Sequence, residues 1–245
     1  MAAKPIDLKL AVDKERNRVL FAECGNDFVD VLLSFLTMPI GTIIRLSGKE
    51  SKIGSMSTLY ESVEDLDVNL LQTAECKRML LCPKSACEAQ CKNLRVNIDD
   101  TESTKYYLCP SSYCRTGSPC LVSTASSAQC HCGLYMKKQM EFSKKPNVVA
   151  NSRDGVFVKG SMRFVMTDDL QVFPVSTTAT FALVKELGIS DATVLEERNV
   201  NVGASEALAL LKASLMSKTT LTDVFYHKKP KHLGRRSSKK VKTEV

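Results

Sequence analysis

The chain has 245 residues, 44% of them apolar and 25% charged, which is ordinary for a folded water-soluble protein and long enough to bury a real core. It carries no run of eighteen apolar residues, which excludes a membrane-spanning helix by length, and its N-terminus "MAAKPIDLKLAVDKERNRVL" lacks the apolar centre of a signal peptide. The net charge of +7 lies in the last nineteen residues, which hold eight of the 34 basic and one of the 27 acidic residues and leave a neutral body with 26 of each. A neutral body without tryptophan argues against phosphate neutralisation or base stacking by the folded part.

In chain order, residues 8–24 predict a hairpin. Leu8, Leu10 and Val12 alternate with polar or small neighbours, "DKERN" supplies the turn and "RVLFAE" returns. Gly25, Asn26 and Asp27 offer a helix start, Phe28, Leu32 and Phe35 continue it, and Pro39 and Gly41 punctuate its end. "GTIIRLSGKES" (41–51) is not a phosphate loop, because the spacing between its glycines is too long and Glu50 replaces the magnesium-binding hydroxyl.

Eight of the ten cysteines crowd into 82–132. "LCPKSAC" (81–87) and "LCPSSYC" (108–114) share the same Cys-Pro-x-x-x-Cys knuckle, and "QCHCG" (129–133) follows. Zinc requires four soft ligands at tetrahedral corners, which short Cys-x-Cys turns deliver in pairs. Cys109, Cys114, Cys130 and Cys132 form the preferred quartet, C-x4-C-x15-C-x-C, with Gly133 permitting the second turn. A site using Cys82 and Cys87 with Cys109 and Cys114 is the alternative. Cys91 and Cys120 are unassigned, Cys24 and Cys76 read as small buried side chains, and His131 reads as solvent-facing. Acid pairs Asp99/Asp100 and Asp168/Asp169 read as hairpin-turn residues, not general acids.

A second strand, Asp-rich turn and strand is expected at 163–175, followed by a helix capped at Ser176 or Thr177 and ending at Gly188. Shifted by 153 residues, Val19 falls on Val172, Phe28 on Phe181 and Val31 on Val184, an internal repeat. "ATVLEERNVNVG" reads as extended chain. "GASEALALLKASLMS" reads as a helix packing through Ala204, Leu208, Leu211 and Leu215, and "TTLTDVF" closes the fold.

The expected fold is α+β: a first hairpin-helix unit with a helical extension (1–80), a cysteine-rich zinc-knot insert (81–145), a second hairpin-helix unit (146–226) and a disordered basic tail (227–245). No catalytic motif is present, so no enzyme is expected. The expected role is a zinc-stabilised module binding a protein partner, in the cytoplasm or nucleus and not on a membrane. The tail residues Lys228, Lys229, Lys231, Arg235, Arg236, Lys239 and Lys240 suit an import signal or electrostatic contact with nucleic acid, the alternative role. A remoter one is thiol redox chemistry at Cys130 and Cys132, with Lys137 and Lys138 nearby.

The strings "LKLAVDKERNRVLFAECGNDFVDVLLSFLTMPIGTIIRL", "CKNLRVNIDDTESTKYYLC", "CHCG" and "TDDLQVFPVSTTATFALVKELGISD…LEERNVNVG" resemble the plant family known as domain of unknown function 674, from about Leu8 to Phe225. The resemblance implies no established activity. It implies cysteines kept at positions matching Cys109, Cys114, Cys130 and Cys132, and a departure from the family pattern at Cys82 and Cys87. Many relatives are about twice as long, so it also implies a short member.

Overall fold

The computed structural model describes residues 4–48, 53–116, 120–140, 155–188 and 195–226. Helices and sheets coexist as an α+β structure. A five-stranded antiparallel sheet has the order β7-β6-β2-β1-β8, built from β1 (Ile6–Asp13), β2 (Arg18–Gly25), β6 (Arg163–Thr167), β7 (Val172–Pro174) and β8 (Leu195–Val202). A second, three-stranded sheet of β3 (Tyr107–Leu108), β4 (Val122–Ser123) and β5 (Lys138–Gln139) has the order β4-β3-β5.

Alternation places Leu8, Leu10 and Val12 on the buried face of β1, opposite Ala22 and Val19 of β2. Asp13 makes the turn: its Oδ1 accepts the N–H groups of Glu15 and Arg16 at 2.9 Å, and Asn17 takes φ 51° before the return. The extended segment after residue 194 is more than a connection, since β8 pairs with β1 along all eight residues, from Ile6 opposite Val202 to Asp13 opposite Leu195. At the other side β2 pairs with β6, so strands from both ends of the chain share one sheet.

Helix α1 (Asn26–Phe35) lays Phe28, Val31, Leu32 and Phe35 into the core above that sheet. Full burial of Phe28 alone contributes roughly 2–3 kcal/mol. Pro39 does not merely stop α1; it is the N-cap of α2 (Ile40–Ser47), and Gly41 lies inside that helix. Helices α3 (Gly54–Asp65) and α4 (Ala74–Leu81) follow, with a 3-10 turn Val68–Leu70 between them, and the short α5 (Glu88–Cys91) leads on to a buried Leu94 and Val96. Among the described residues no single helix is long and apolar enough to cross a membrane.

Helix α8 (Ala204–Met216) buries Ala207, Leu210 and Leu211; of the predicted stripe through Ala204, Leu208, Leu211 and Leu215, Leu211 is buried and Leu208 packs half-buried against the core, while Ala204 and Leu215 are exposed. The correction is one of phase. Ala207, Leu210 and Leu211 follow i, i+3, i+4 and meet α1 and β8, which turns Leu215 partly outward. The last described segment, Thr222–Tyr226, winds into a single π-helical turn with Thr222 and Val224 buried, and Leu221 is buried just before it.

Helix α7 (Thr177–Glu186) follows the β6-β7 hairpin as α1 follows β1-β2, but the two are packed differently. Phe28 is fully buried, whereas Phe181, its counterpart at a shift of 153, is 71% exposed. Gly188 ends α7 region as predicted, at φ +64° with its N–H on the Lys185 carbonyl. The tail residues from His227 onward lie outside the described residues, as do 141–154 of the cysteine-rich stretch and its neighbour.

Candidate metal centre

The three-stranded sheet is too small to hold itself by burial. Its core is Cys109, Cys130 and Met136, flanked by Tyr107, Leu121 and Ala128. Two turns project from it. In the first, β3 leads into Cys109, Pro110 sets the bend, and α6 (Ser112–Thr116) carries Cys114. In the second, the Cys130 N–H donates to the Leu134 carbonyl at 2.9 Å, and the Gly133 N–H donates to the Cys130 carbonyl at 2.8 Å. Gly133 sits at φ +81°, a conformation that side chains resist, so the glycine after Cys132 is a geometric requirement.

These turns face one another. The Sγ atoms of Cys109, Cys114, Cys130 and Cys132 all lie within 4.8 Å of one another, and those of Cys109 and Cys132 are 3.6 Å apart. A disulfide would need about 2.05 Å, and all ten cysteines are free. Four sulfurs at tetrahedral corners with metal–sulfur bonds of about 2.3 Å are separated by about 3.8 Å. The set therefore fits a four-coordinate ion. Cys109 and Cys130 are buried, Cys114 is half-buried and Cys132 is exposed.

The backbone supports charged sulfur. The Leu134 N–H, then the Cys109 thiol, stabilise the Cys132 thiolate and lower its pKa to about 7. Hydrogen bonding to Cys132 and then burial push Cys114 up to about 12. Burial also raises Cys109, against the Ser111 N–H, which favours its thiolate. Without a cation, one sulfur can hold charge only while its neighbours keep their protons; a divalent ion removes that conflict and deprotonates its thiol ligands. The surroundings suit the net negative charge of such a complex, because residues 103–140 contain Lys105, Arg115, Lys137 and Lys138 but no Asp or Glu.

Among the described residues this is the one group of three or more metal-ligating side chains that converges, and Cys82 and Cys87 are not in it. The upstream knuckle packs against helices instead. Pro83 lies where a Cβ on Gly41 would meet its Cγ at 3.1 Å, and its carbonyl accepts the Thr42 hydroxyl at 3.2 Å. Ser85 Oγ donates to the Thr37 carbonyl at 2.9 Å, and the buried Cys91 Sγ lies 3.7 Å from Thr37 Oγ1. Cys82 is the C-cap of α4 and Cys87 the N-cap of α5.

Of the remaining cysteines, Cys24 is buried, with burial pushing its pKa up to about 12. Cys76 is not the buried side chain expected; it is half-exposed in the first turn of α4, where its N–H donates to Thr73 Oγ1. Cys120 and His131 are exposed. The tail cations lie outside the described residues.

The acid pairs are structural. Asp99 Oδ1 accepts the Thr101 N–H at 2.9 Å, but in an irregular loop and not in the hairpin predicted. Asp100 pairs with Arg45 at 2.7 Å. Asp168 accepts both the N–H and the hydroxyl of Thr222. The sequence reading missed the Ser111 and Leu134 amides that face the sulfurs; the glycine before Leu134 was the available signal.

A family model described as "Protein of unknown function (DUF674)" matches residues 2–245, so the chain belongs to that family. The comparison with curated proteins found no match, and neither did the comparison with solved structures.

Proposed function

We propose that this member of the DUF674 family is a non-enzymatic interaction protein in which one structural zinc ion, held by Cys109, Cys114, Cys130 and Cys132, locks the three-stranded sheet into a rigid module. The observation that carries the reading is the convergence of four sulfurs within 4.8 Å from two turns with N–H groups aimed at them. Four thiolates select a soft or borderline ion, and tetrahedral geometry favours zinc. A site closed by four protein ligands has no open position for a substrate or an activated water, which supports a structural role over a hydrolytic one. A partner protein would dock on a surface whose shape the zinc maintains. Cysteine ligation also favours a reducing compartment, the cytoplasm or nucleus.

The test is elemental analysis of untagged protein with two variants. One zinc per chain, lost in Cys109→Ser and kept in Cys82→Ser, is the expected result. A wild-type protein without stoichiometric zinc sinks the reading.

A further inference from the structure

The segment from α3 through α4 buries almost nothing of its own. Neither α3, the Val68–Leu70 turn nor α4 contains a single buried residue. One face of α3 turns toward the body, where the Tyr60 hydroxyl donates to the Leu81 carbonyl at 2.9 Å and Ser57, Tyr60, Glu61 and Glu64 line a cleft against Ile44 and Arg45. A different face carries Met56, Leu59 and Val63 at i, i+3, i+7, of which Met56 and Leu59 are exposed and Val63 is half-buried. Leu59 is 57% exposed, Leu70 72% and Met79 64%. Lys77 Nζ holds the arm together by donating to the Glu64 and Leu66 carbonyls at 2.7 Å each, so α4 abuts the end of α3.

The charge of this arm is one-sided. Residues 54–81 contain Glu61, Glu64, Asp65, Asp67 and Glu75 against Lys77 and Arg78. Both cations are engaged, Lys77 on those carbonyls and Arg78 on Glu75 at 2.6 Å. Among the described residues no ion pair reaches Glu61, Glu64, Asp65 or Asp67. Helix α3 moreover ends on Glu64 and Asp65 with no basic residue in its last turn, so carboxylates stand at the negative end of the helix dipole. Cationic groups docking there would relieve that repulsion, and an apolar stripe beside them would complete the burial that α3 lacks.

We infer that the α3–α4 arm is the docking surface of the molecule and that it receives a basic amphipathic helix from a partner protein. Leucine-type side chains of that helix cover Met56, Leu59 and Leu70 while its Lys and Arg residues meet the acidic end of α3. The inference rests on the interaction role proposed above but not on the metal, which lies in a separate sheet with a separate core.

A fluorescent 18-residue Leu/Lys peptide with one apolar face is the probe, titrated by anisotropy into the full chain with its metal content measured on the same sample. Micromolar binding is expected, weakened at least ~10-fold by Leu59→Asp or Leu70→Asp. Both side chains are exposed, so unchanged circular dichroism and melting accompany the loss. Glu64→Gln with Asp65→Asn should weaken binding and flatten its salt dependence. Phe181→Asp, an exposed apolar residue elsewhere, should change nothing.

Equal binding by wild type and the two aspartate variants overturns the inference. So does equal binding of a Leu/Glu peptide, or a wild-type dimer in solution that Leu59→Asp dissociates, which would make a second copy the occupant. Absence of zinc in protein that binds the peptide would fail the metal reading alone.

Discussion

The carboxylate of Asp30 and the backbone at Gly155 fix one another across 125 residues of chain. Asp30 is 2% exposed in the middle of α1, and its oxygens accept three successive N–H groups: Val156 at 2.7 Å, Phe157 at 2.7 Å and Val158 at 3.0 Å. Gly155 leads into that turn so closely that a Cβ would collide with the Val158 carbonyl oxygen and stand 2.8 Å from Asp30 Oδ2. A buried carboxylate is tolerable here because three amides solvate it.

Asp30→Ala strands those three amides beneath the helix. A loss of about 3–5 kcal/mol is expected, with Asp30→Asn costing less because one oxygen is retained. Gly155→Ala should cost a comparable amount through the clash. The double variant should fall well short of the sum, since either change alone already frees the turn. Urea unfolding of the four proteins measures the coupling; strict additivity would show that the carboxylate and the glycine act independently.

Thr222 offers a second long-range tie. Its Oγ1 accepts the buried Val19 N–H at 2.8 Å and donates to Asp168 Oδ2 at 2.7 Å, joining the terminal turn to β2 and to the β6-β7 turn at once. Thr222→Val keeps the shape and removes both bonds, leaving a buried amide unpaired. A loss of about 2 kcal/mol is expected, against less than about 0.5 kcal/mol for Thr222→Ser, which keeps the hydroxyl. Thermal melts of both variants check it.

The two hairpins were legible because period-two alternation and an Asp-led turn are local signals. The cysteine pairs were legible because ligand spacing is local too. Pairing of β8 with β1 was not, because its partner lies almost 190 residues away and its own pattern, "LEERNVNV", is that of a half-exposed edge strand. Asp30 is one polar residue on a largely apolar helix, and nothing near it in sequence announces the amides it serves. Twin knuckles at 82–87 and 109–114 share a sequence, yet one faces sulfurs and the other faces Gly41 and Thr37; the difference lies in what each turn meets, which spacing does not encode.

Glu88 gives the fold a sensitivity to acid. Burial works against its charge, but the Thr104 hydroxyl and amide and the Lys92 ammonium outweigh it and hold the carboxyl at about 2, below its ordinary 4.5. A depressed carboxyl contributes stability that is complete above pH ~4.5 and is lost as pH falls toward 2. The side chain is partly wet, so screening limits the contribution to on the order of 1 kcal/mol. Glu88→Gln should therefore lower stability at pH 7 by about that amount and make the stability curve flatter between pH 5 and 2, to within ~0.5 pH unit of resolution. Asp168 pulls the other way, because burial raises its pKa and its ionisation in the folded state costs stability as pH rises through the acid range. Denaturation midpoints of wild type and Glu88→Gln at matched pH values separate the two; parallel curves would show that Glu88 is not held low.

Metal removal should act on one part of the molecule. The main core runs from Ile6 to Val224 around α1, α8 and the five-stranded sheet, and none of the four clustered cysteines belongs to it. The small sheet has only Cys109, Cys130 and Met136 at its centre, too little apolar burial to offset the cost of ordering its backbone without an ion. Chelation of the metal-loaded protein should thus raise amide exchange in the three-stranded sheet and the two turns while β1, β2 and α1 stay protected. Thiol labelling should change in step. Before chelation, exposed Cys120 reacts while the four clustered thiols are shielded; afterwards Cys132, exposed and with its pKa lowered to about 7, reacts first, and buried Cys24 stays inert. Global loss of protection on chelation would instead mean that the ion also holds the larger sheet together, and that the two cores fold as one.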